Sequence, residues 1–114
     1  IGCIDNVGIG NNVLIASNVY ITDHFHGNID AISLDIPPAQ RKIVSKGPIV
    51  IEDNVWIGEG VAIMPNTRIG VNSIVGANSV VTKNIPANCV VGGVPARIIK
   101  YLIEEPLANS IPTK

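Results

Sequence analysis

Apolar residues recur at every sixth position along much of the chain. From Ile51 the sequence divides without a gap into IEDNVW, IGEGVA, IMPNTR, IGVNSI, VGANSV and VTKNIP. The first position of each hexad is Ile or Val, the fourth is Asn or Gly, and the fifth is small or β-branched. An earlier block (CIDNVG, IGNNVL, IASNVY) keeps the same phase up to Ile21, and the repeat is lost between Thr22 and about Gly47. This period fits neither a helix nor simple strand alternation.

A six-residue period predicts a short strand followed by a tight corner. Asn and Gly accept left-handed backbone angles at low cost, as such a corner requires. Three edges make one coil of about 18 residues, and successive coils pair as parallel strands about 4.8 Å apart. We therefore predict an all-β fold, a parallel β-helix over residues 1–95 with an extruded loop at about 22–48. The first positions, among them Ile57, Ile63 and Ile69, should share one interior.

Composition and charge agree with this fold and exclude some functions. Apolar residues make up 46% of the chain and aromatic residues only 4%, as expected if small branched side chains fill the core. The net charge of −1 gives no electrostatic case for nucleic acid. No apolar run approaches the ~20 residues that a membrane-spanning helix needs. Cys3 and Cys89 suggest neither a disulfide framework nor a metal motif, and we expect a cytoplasmic protein.

The repeat carries a resemblance to a known family. Over about residues 3–100, the pattern Ile/Val–Gly–x–Asn–Ser/Val–x resembles the hexapeptide repeat of the left-handed β-helix acyltransferases. The left-handedness is implied by this resemblance, because parallel crossovers are otherwise almost always right-handed. SVVTKNIP followed by VVGGVPARIIK resembles the coenzyme-binding end of sugar and xenobiotic acetyltransferases. The resemblance implies acetyl-CoA as co-substrate and a homotrimer with active sites between subunits.

The interruption of the repeat holds both histidines of the chain, His24 and His26. In the sugar O-acetyltransferases that the chain resembles, the catalytic histidine lies five residues beyond an inward-pointing residue, at the start of an extruded loop. Counting from Ile21 gives His26, and His24 is the alternative. Imidazole is largely unprotonated at neutral pH and suits proton removal from a hydroxyl. Asp23 is expected to contact the substrate or to orient a histidine, and a solvated loop without chemistry is the competing interpretation.

The coenzyme site is implied by the same resemblance. Lys83, Arg97 and Lys100 are expected near the phosphates and adenine of the coenzyme. Gly58, Gly76 and Ala77 are expected to form thin corners for the pantetheine arm. Trp56 is expected to point outward near the acceptor or coenzyme. Ordinary solvated charges and turn glycines are the alternative interpretation of these positions. The thioester is already activated, so no metal is expected.

The C-terminal segment breaks the hexad pattern. ARIIKYLIEE has helical composition, begins after Pro95 and stops before Pro106. We predict a short α-helix and a tail over residues 96–114, with the helix covering the open strand edges of the last coil.

Together these features predict an acetyl-CoA-dependent O-acetyltransferase that acts on a hydroxyl of a sugar or surface polysaccharide. The alternatives are a non-catalytic β-helix that binds or scaffolds, and an acetyltransferase for serine or an antibiotic. A zinc β-helix hydratase needs three histidine ligands, and the chain has two.

Overall fold

The computed structural model describes residues 6–26, 35–40 and 43–102. Nearly all regular structure in these ranges is short strands, and a single 3₁₀ turn lies at Pro38–Gln40. The strands are β1 (Val7–Ile9), β2 (Leu14–Ile15), β3 (Tyr20–Ile21), β4 (His24–His26), β5 (Ile43–Ser45), β6 (Ile49–Ile51), β7 (Trp56–Ile57), β8 (Ala62–Ile63), β9 (Thr67–Ile69), β10 (Ile74–Val75), β11 (Val80–Val81), β12 (Cys89–Gly92) and β13 (Arg97–Tyr101).

Three parallel sheets form the three faces of a solenoid. Face A contains β1, β6 and β9; face B contains β2, β7, β10 and β12; and face C contains β3, β8 and β11. Strands pair in register from coil to coil, so that Leu14, Trp56, Ile74 and Val90 stand in one row on face B. Each sheet takes one strand from every turn of the chain, which is the β-helix architecture predicted from the six-residue period.

The corners carry the left-handed residues that the repeat predicts. Corner AB, between faces A and B, has positive φ angles at Asn12, Asn54, Asn72 and Asn88. Corner BC uses Asn18, Gly60 and Asn78, and corner CA uses Gly47 and Asn66 in the same way. These residues permit a turn that most side chains resist. Asn84, which occupies the same hexad position, is absent from this set.

The interior is a column of aliphatic side chains. Ile57, Ile63 and Ile69 have no exposed surface and belong to one core cluster with eight other Ile and Val residues of the first and fifth hexad positions and with Cys89 and Val91. Buried Ser73 and Ser79 use their hydroxyls on backbone groups of the next coil. Burial of the first positions Ile57, Ile63 and Ile69 in a shared interior is confirmed, whereas Ile9 in the first described coil is 42% exposed.

The C-terminal helix prediction is wrong for the part of the segment that the structure describes. Residues Arg97–Tyr101 form β13, which pairs antiparallel with β12. The unpaired edge of β12 offers N–H and C=O groups that an extended segment satisfies directly, and this outweighs local helical composition. Residues 103–114 lie outside the described ranges. Among the described residues, no helix has the length and apolar character needed to cross a membrane.

Candidate active site at the base of the loop

The extruded loop leaves the solenoid at corner CA. Its first strand β4 pairs antiparallel with β5, and His24 lies opposite Ser45. Beside this pair the Lys46 N–H donates to the Asp23 carbonyl over 2.9 Å. The chain therefore leaves and re-enters the corner through a two-stranded neck that carries both histidines on its first strand.

Asp23 is the buried charged residue of this neck. Its side chain has no exposed surface. Oδ2 accepts a hydrogen bond from the Asn6 N–H over 2.8 Å, and Oδ1 lies 3.0 Å from His24 Nδ1. The enclosure of this carboxylate lends no support to the predicted substrate contact of Asp23, which stays a prediction. Its other predicted role, orientation of a histidine, agrees with the geometry.

His24 is held from one side of its ring. Nδ1 lies 3.0 Å from Asp23 Oδ1 and 3.1 Å from Thr22 Oγ1, and 17% of the side chain is exposed. A carboxylate has only lone pairs to offer, so this contact favours the tautomer in which Nδ1 carries the hydrogen. That tautomer leaves the lone pair of the neutral ring on Nε2. An oriented, partly exposed imidazole is what a hydroxyl substrate requires.

His26 lies two residues further along β4. Its backbone pairs with Ile43, and its side chain lies outside the described part of the structure. The assignment of His26 as the first candidate for the base therefore stays a prediction.

The residues predicted to lie against the pantetheine arm all stand at corner BC, in consecutive coils. The Gly58 N–H donates to the Val75 carbonyl and the Gly76 N–H to the Val91 carbonyl, over 2.9 and 2.8 Å. Gly58 and Gly76 thus stand at equivalent places in consecutive coils, and Ala77 beside them is exposed. Glycine at these two places leaves backbone accessible beside the exposed side chains of Glu59 and Asn78, which fits a slender chain with amide groups.

The predicted cations lie elsewhere. Lys83 is exposed at corner CA, two coils from the loop, roughly 10 Å along the solenoid axis at about 4.8 Å per coil. Arg97 and Lys100 are exposed on β13. Trp56 points outward as predicted, is 50% exposed, and stands on face B between Leu14 and Ile74.

The structure therefore divides the predicted residues between two corners. The histidines and Lys83 belong to corner CA, whereas Gly58, Gly76 and Ala77 belong to corner BC. About six residues of extended chain separate neighbouring corners, roughly 20 Å. A single copy does not bring the two sets together across any one surface of the described residues.

Face A has a shallow groove. A cavity of about 370 Å³ is lined by Gly8, Val50, Glu52, Asp53 and Val71, together with backbone neighbours of these residues. Glu52 closes one side, since its carboxylate accepts a hydrogen bond from the Val71 N–H and pairs with Arg68. Sequence reasoning missed this groove, because small outward residues such as Gly8 and Val50 give no signal within the repeat.

Comparison with known proteins supplies the family. Residues 48–83 match the model of the bacterial transferase hexapeptide (six repeats). The chain belongs to the hexapeptide-repeat transferases. Over 104 residues it is 50% identical to WbbJ of Escherichia coli K12, a protein named for lipopolysaccharide biosynthesis O-acetyl transfer, covering 88% of this chain and 53% of WbbJ.

Solved structures of the family share the fold. A galactoside acetyltransferase in complex with coenzyme A superposes with a TM-score of 0.73 at 38% identity, covering 98% of this chain and 53% of that one. A maltose O-acetyltransferase from Clostridium difficile 630 gives 0.72 at 42% identity, covering 90% and 54%. The left-handed β-helix class is confirmed. The chain spans about half the length of these relatives.

Proposed function

We propose that the protein transfers the acetyl group of acetyl-CoA to a hydroxyl of a sugar or surface polysaccharide. The observation that carries this proposal is the oriented imidazole of His24 at the neck of the loop, in a chain 50% identical to WbbJ over 104 residues and in a fold shared with the galactoside and maltose acetyltransferases. The compartment proposed is the cytoplasm, where acetyl-CoA is available.

The proposed mechanism is direct transfer with a loop histidine as general base. Acetyl-CoA supplies an activated thioester carbonyl. His26, or His24 in its place, removes the proton from the sugar hydroxyl as the oxygen attacks the carbonyl carbon. Backbone N–H groups near the carbonyl stabilise the negative charge that develops on its oxygen. The C–S bond then breaks, and the proton held by the imidazole passes to the leaving sulfur.

The chain's residues fit the coenzyme. Corner BC exposes backbone around Gly58, Gly76 and Ala77, against which pantetheine amides can lie. Lys83, Arg97 and Lys100 are exposed, and a cation of this kind forms charge-assisted hydrogen bonds to phosphate oxygens. Trp56 offers an exposed aromatic surface on the face that leads to this corner.

We further propose a homotrimer, because a three-fold arrangement unites the two corners. With corner AB next to the axis, corner CA of one subunit faces corner BC of the next, and faces A and B become the walls of a groove between them. Around a three-fold axis each subunit has about 120° available, whereas the corner of a three-sided coil fills about half of that angle. The remaining angle forms a groove between neighbouring subunits that widens away from the axis.

The dimensions of this groove suit both contact and ligand. The groove opens at about 60°, so at any point the distance between its two walls equals the distance of that point from corner AB. The middles of the walls, near Val50 and Trp56, are therefore about 10 Å apart. Two packed sheets need about this separation. Farther out the gap widens, and this leaves room for coenzyme and sugar beside the loop.

The test is acetyl-CoA turnover measured by thiol release and product mass across galactosides, maltose, polysaccharide fragments, serine and an antibiotic acceptor. Stimulation by sugars, lost with the fold retained when the histidine that acts as base (His26 or His24) is replaced by alanine, is the expected result. Turnover with serine or the antibiotic and none with any sugar would transfer the protein to another acceptor class. Coenzyme binding without any turnover would favour a binding or scaffold role.

A further inference from the structure

We infer that Asp23 is a positioning residue of the transferase site, acting through His24. Its carboxylate fixes the ring as the Nδ1–H tautomer, which leaves Nε2 to accept the hydrogen bond from the sugar hydroxyl, so that His24 is taken as the general base of the two candidate histidines. This inference rests on the proposed function for its chemical consequence, while the contact itself is independent of the acceptor.

The position of Asp23 is set from two directions. The Asn6 N–H, on the first described coil, donates to Oδ2 over 2.8 Å, and the Lys46 N–H, on the returning strand of the neck, donates to the backbone carbonyl over 2.9 Å. Because both partners are backbone groups of neighbouring chain segments, the carboxylate is tied to the solenoid as well as to the loop. Oδ1 consequently meets His24 from a fixed place.

The carboxylate of Asp23 accepts hydrogen bonds from two donors at once, whereas an asparagine amide has only one acceptor oxygen. In Asp23→Asn a single carbonyl oxygen must choose between the Asn6 N–H and the imidazole, and the NH₂ group faces the other partner. The Asn6 N–H is a backbone donor that cannot change its role. The amide oxygen should therefore turn to Asn6 and its NH₂ to Nδ1, which favours the opposite tautomer with hydrogen on Nε2.

A second carboxylate, exposed where Asp23 is buried, accepts the same kind of backbone hydrogen bond and separates this role from simple anchoring. Asp53 Oδ1 accepts a hydrogen bond from the Asn11 N–H over 2.8 Å, also between neighbouring coils. No histidine is recorded against Asp53 among the described residues. Asp53→Asn keeps an oxygen for that donor and serves as the matched control for loss of a charge at a coil-to-coil contact.

The first measurement is ¹H–¹⁵N correlation spectroscopy of the imidazoles at neutral pH, with His26→Gln used for assignment. The wild-type protein should show His24 with hydrogen on Nδ1. Asp23→Asn should shift His24 to the Nε2–H form, and Asp53→Asn should leave it unchanged. An Nε2–H tautomer in the wild-type protein, or an unchanged tautomer in folded Asp23→Asn, overturns the inference.

The second measurement is steady-state acetyl transfer. Asp23→Asn should lower kcat by about tenfold to a hundredfold, a part of the ~10²–10⁴ that a positioned acid–base group contributes, with KM for acetyl-CoA little changed. His24→Asn keeps a donor near the place of Nδ1 and removes Nε2, so its kcat should fall at least as far. Wild-type kcat in His24→Asn overturns the inference even if Asp23→Asn fails to fold. If no acceptor is acetylated at all, the proposed function fails, and the tautomer spectra still decide the Asp23–His24 contact.

Discussion

The same glycine-to-alanine change should have different effects on the free energy of unfolding at two glycines of one corner. Gly58 and Gly76 occupy equivalent places in consecutive coils of corner BC. A Cβ at Gly58 would lie 2.8 Å from the Ala77 nitrogen and 2.9 Å from the Val75 oxygen, both backbone atoms. At Gly76 the nearest atom would be the Val91 oxygen at 3.4 Å, an ordinary contact.

The magnitude follows from what must move. At Gly58 the coils must separate by about half an ångström to restore a 3.4 Å contact, at the point where the Gly58 N–H donates to Val75 over 2.9 Å. Overpacking of this kind costs about 1–3 kcal/mol. Where the added methyl group fits, Gly→Ala instead stabilises the fold by about 0.4–1 kcal/mol, because alanine lowers the conformational entropy of the unfolded chain. We expect Gly58→Ala to lower the free energy of unfolding by about 1–3 kcal/mol and Gly76→Ala to leave it equal or slightly higher.

The assay is urea unfolding followed by far-UV circular dichroism, at matched protein concentrations because assembly contributes to apparent stability. Each 1 kcal/mol corresponds to a melting shift of about 4 °C for a chain near this size. Equal stability of the two variants would refute the reasoning, because it would mean that the coils do not stack against Gly58 at the spacing described. Loss of coenzyme binding in stable Gly76→Ala would add support for pantetheine at this corner.

Three further results are expected. His26→Ala and His24→Ala separate the two candidate bases: the variant that removes the base should abolish sugar-dependent thiol release while coenzyme binding, measured by calorimetry, and the assembly mass persist; the Asp23 inference requires this of His24→Ala, and loss in His26→Ala alone would overturn that inference. Lys83→Ala should raise KM for acetyl-CoA several-fold with little change in kcat, and an unchanged KM would leave Lys83 as a solvated charge. Val50→Arg, on face A, should dissociate the trimer in sedimentation velocity, whereas Ala62→Arg at the same level of face C should not; the reverse outcome would refute corner AB as the axis.

The sequence predicts the solenoid well because each hexad repeats one physical requirement. A β-branched first position must enter a shared interior, and the Asn or Gly at the fourth must turn the chain. Ile57 and Asn54 meet these requirements through local conformation and through burial against the identical position of the next coil. The signal is therefore reinforced several times along the chain.

The C-terminal strand escaped prediction because its cause is non-local. RIIKY has no hexad pattern, and Ile, Lys and Tyr are tolerated in helices and strands alike. Its conformation is decided by the open edge of β12, where Gly92 pairs with Arg97 and Cys89 with Tyr101. Such an edge exists only after the coils have been stacked.

The site was predicted in part. The interruption at Thr22 identified the loop and its histidines, because a gap in a strict repeat is visible in the sequence. The contact between Asp23 and the Asn6 N–H was not foreseeable, since it joins a side chain to a backbone group of the preceding coil and depends on the coil-to-coil register. The division of the predicted coenzyme residues between two corners likewise needs the three faces in space.

A corner is the place where this fold can accept a loop without losing its ladders. β3 before the loop still pairs with β8, and β6 after it still pairs with β1 and β9. Gly47 resumes the corner with a positive φ, and its carbonyl accepts a hydrogen bond from the Asn66 N–H of the next coil. The excursion therefore leaves each strand pair on either side in register, and its residues are released from the hexad pattern. Asp23 and His24 follow soon after that release: the buried Asp23 is fixed by the solenoid, and the partly exposed His24 beside it remains accessible from outside.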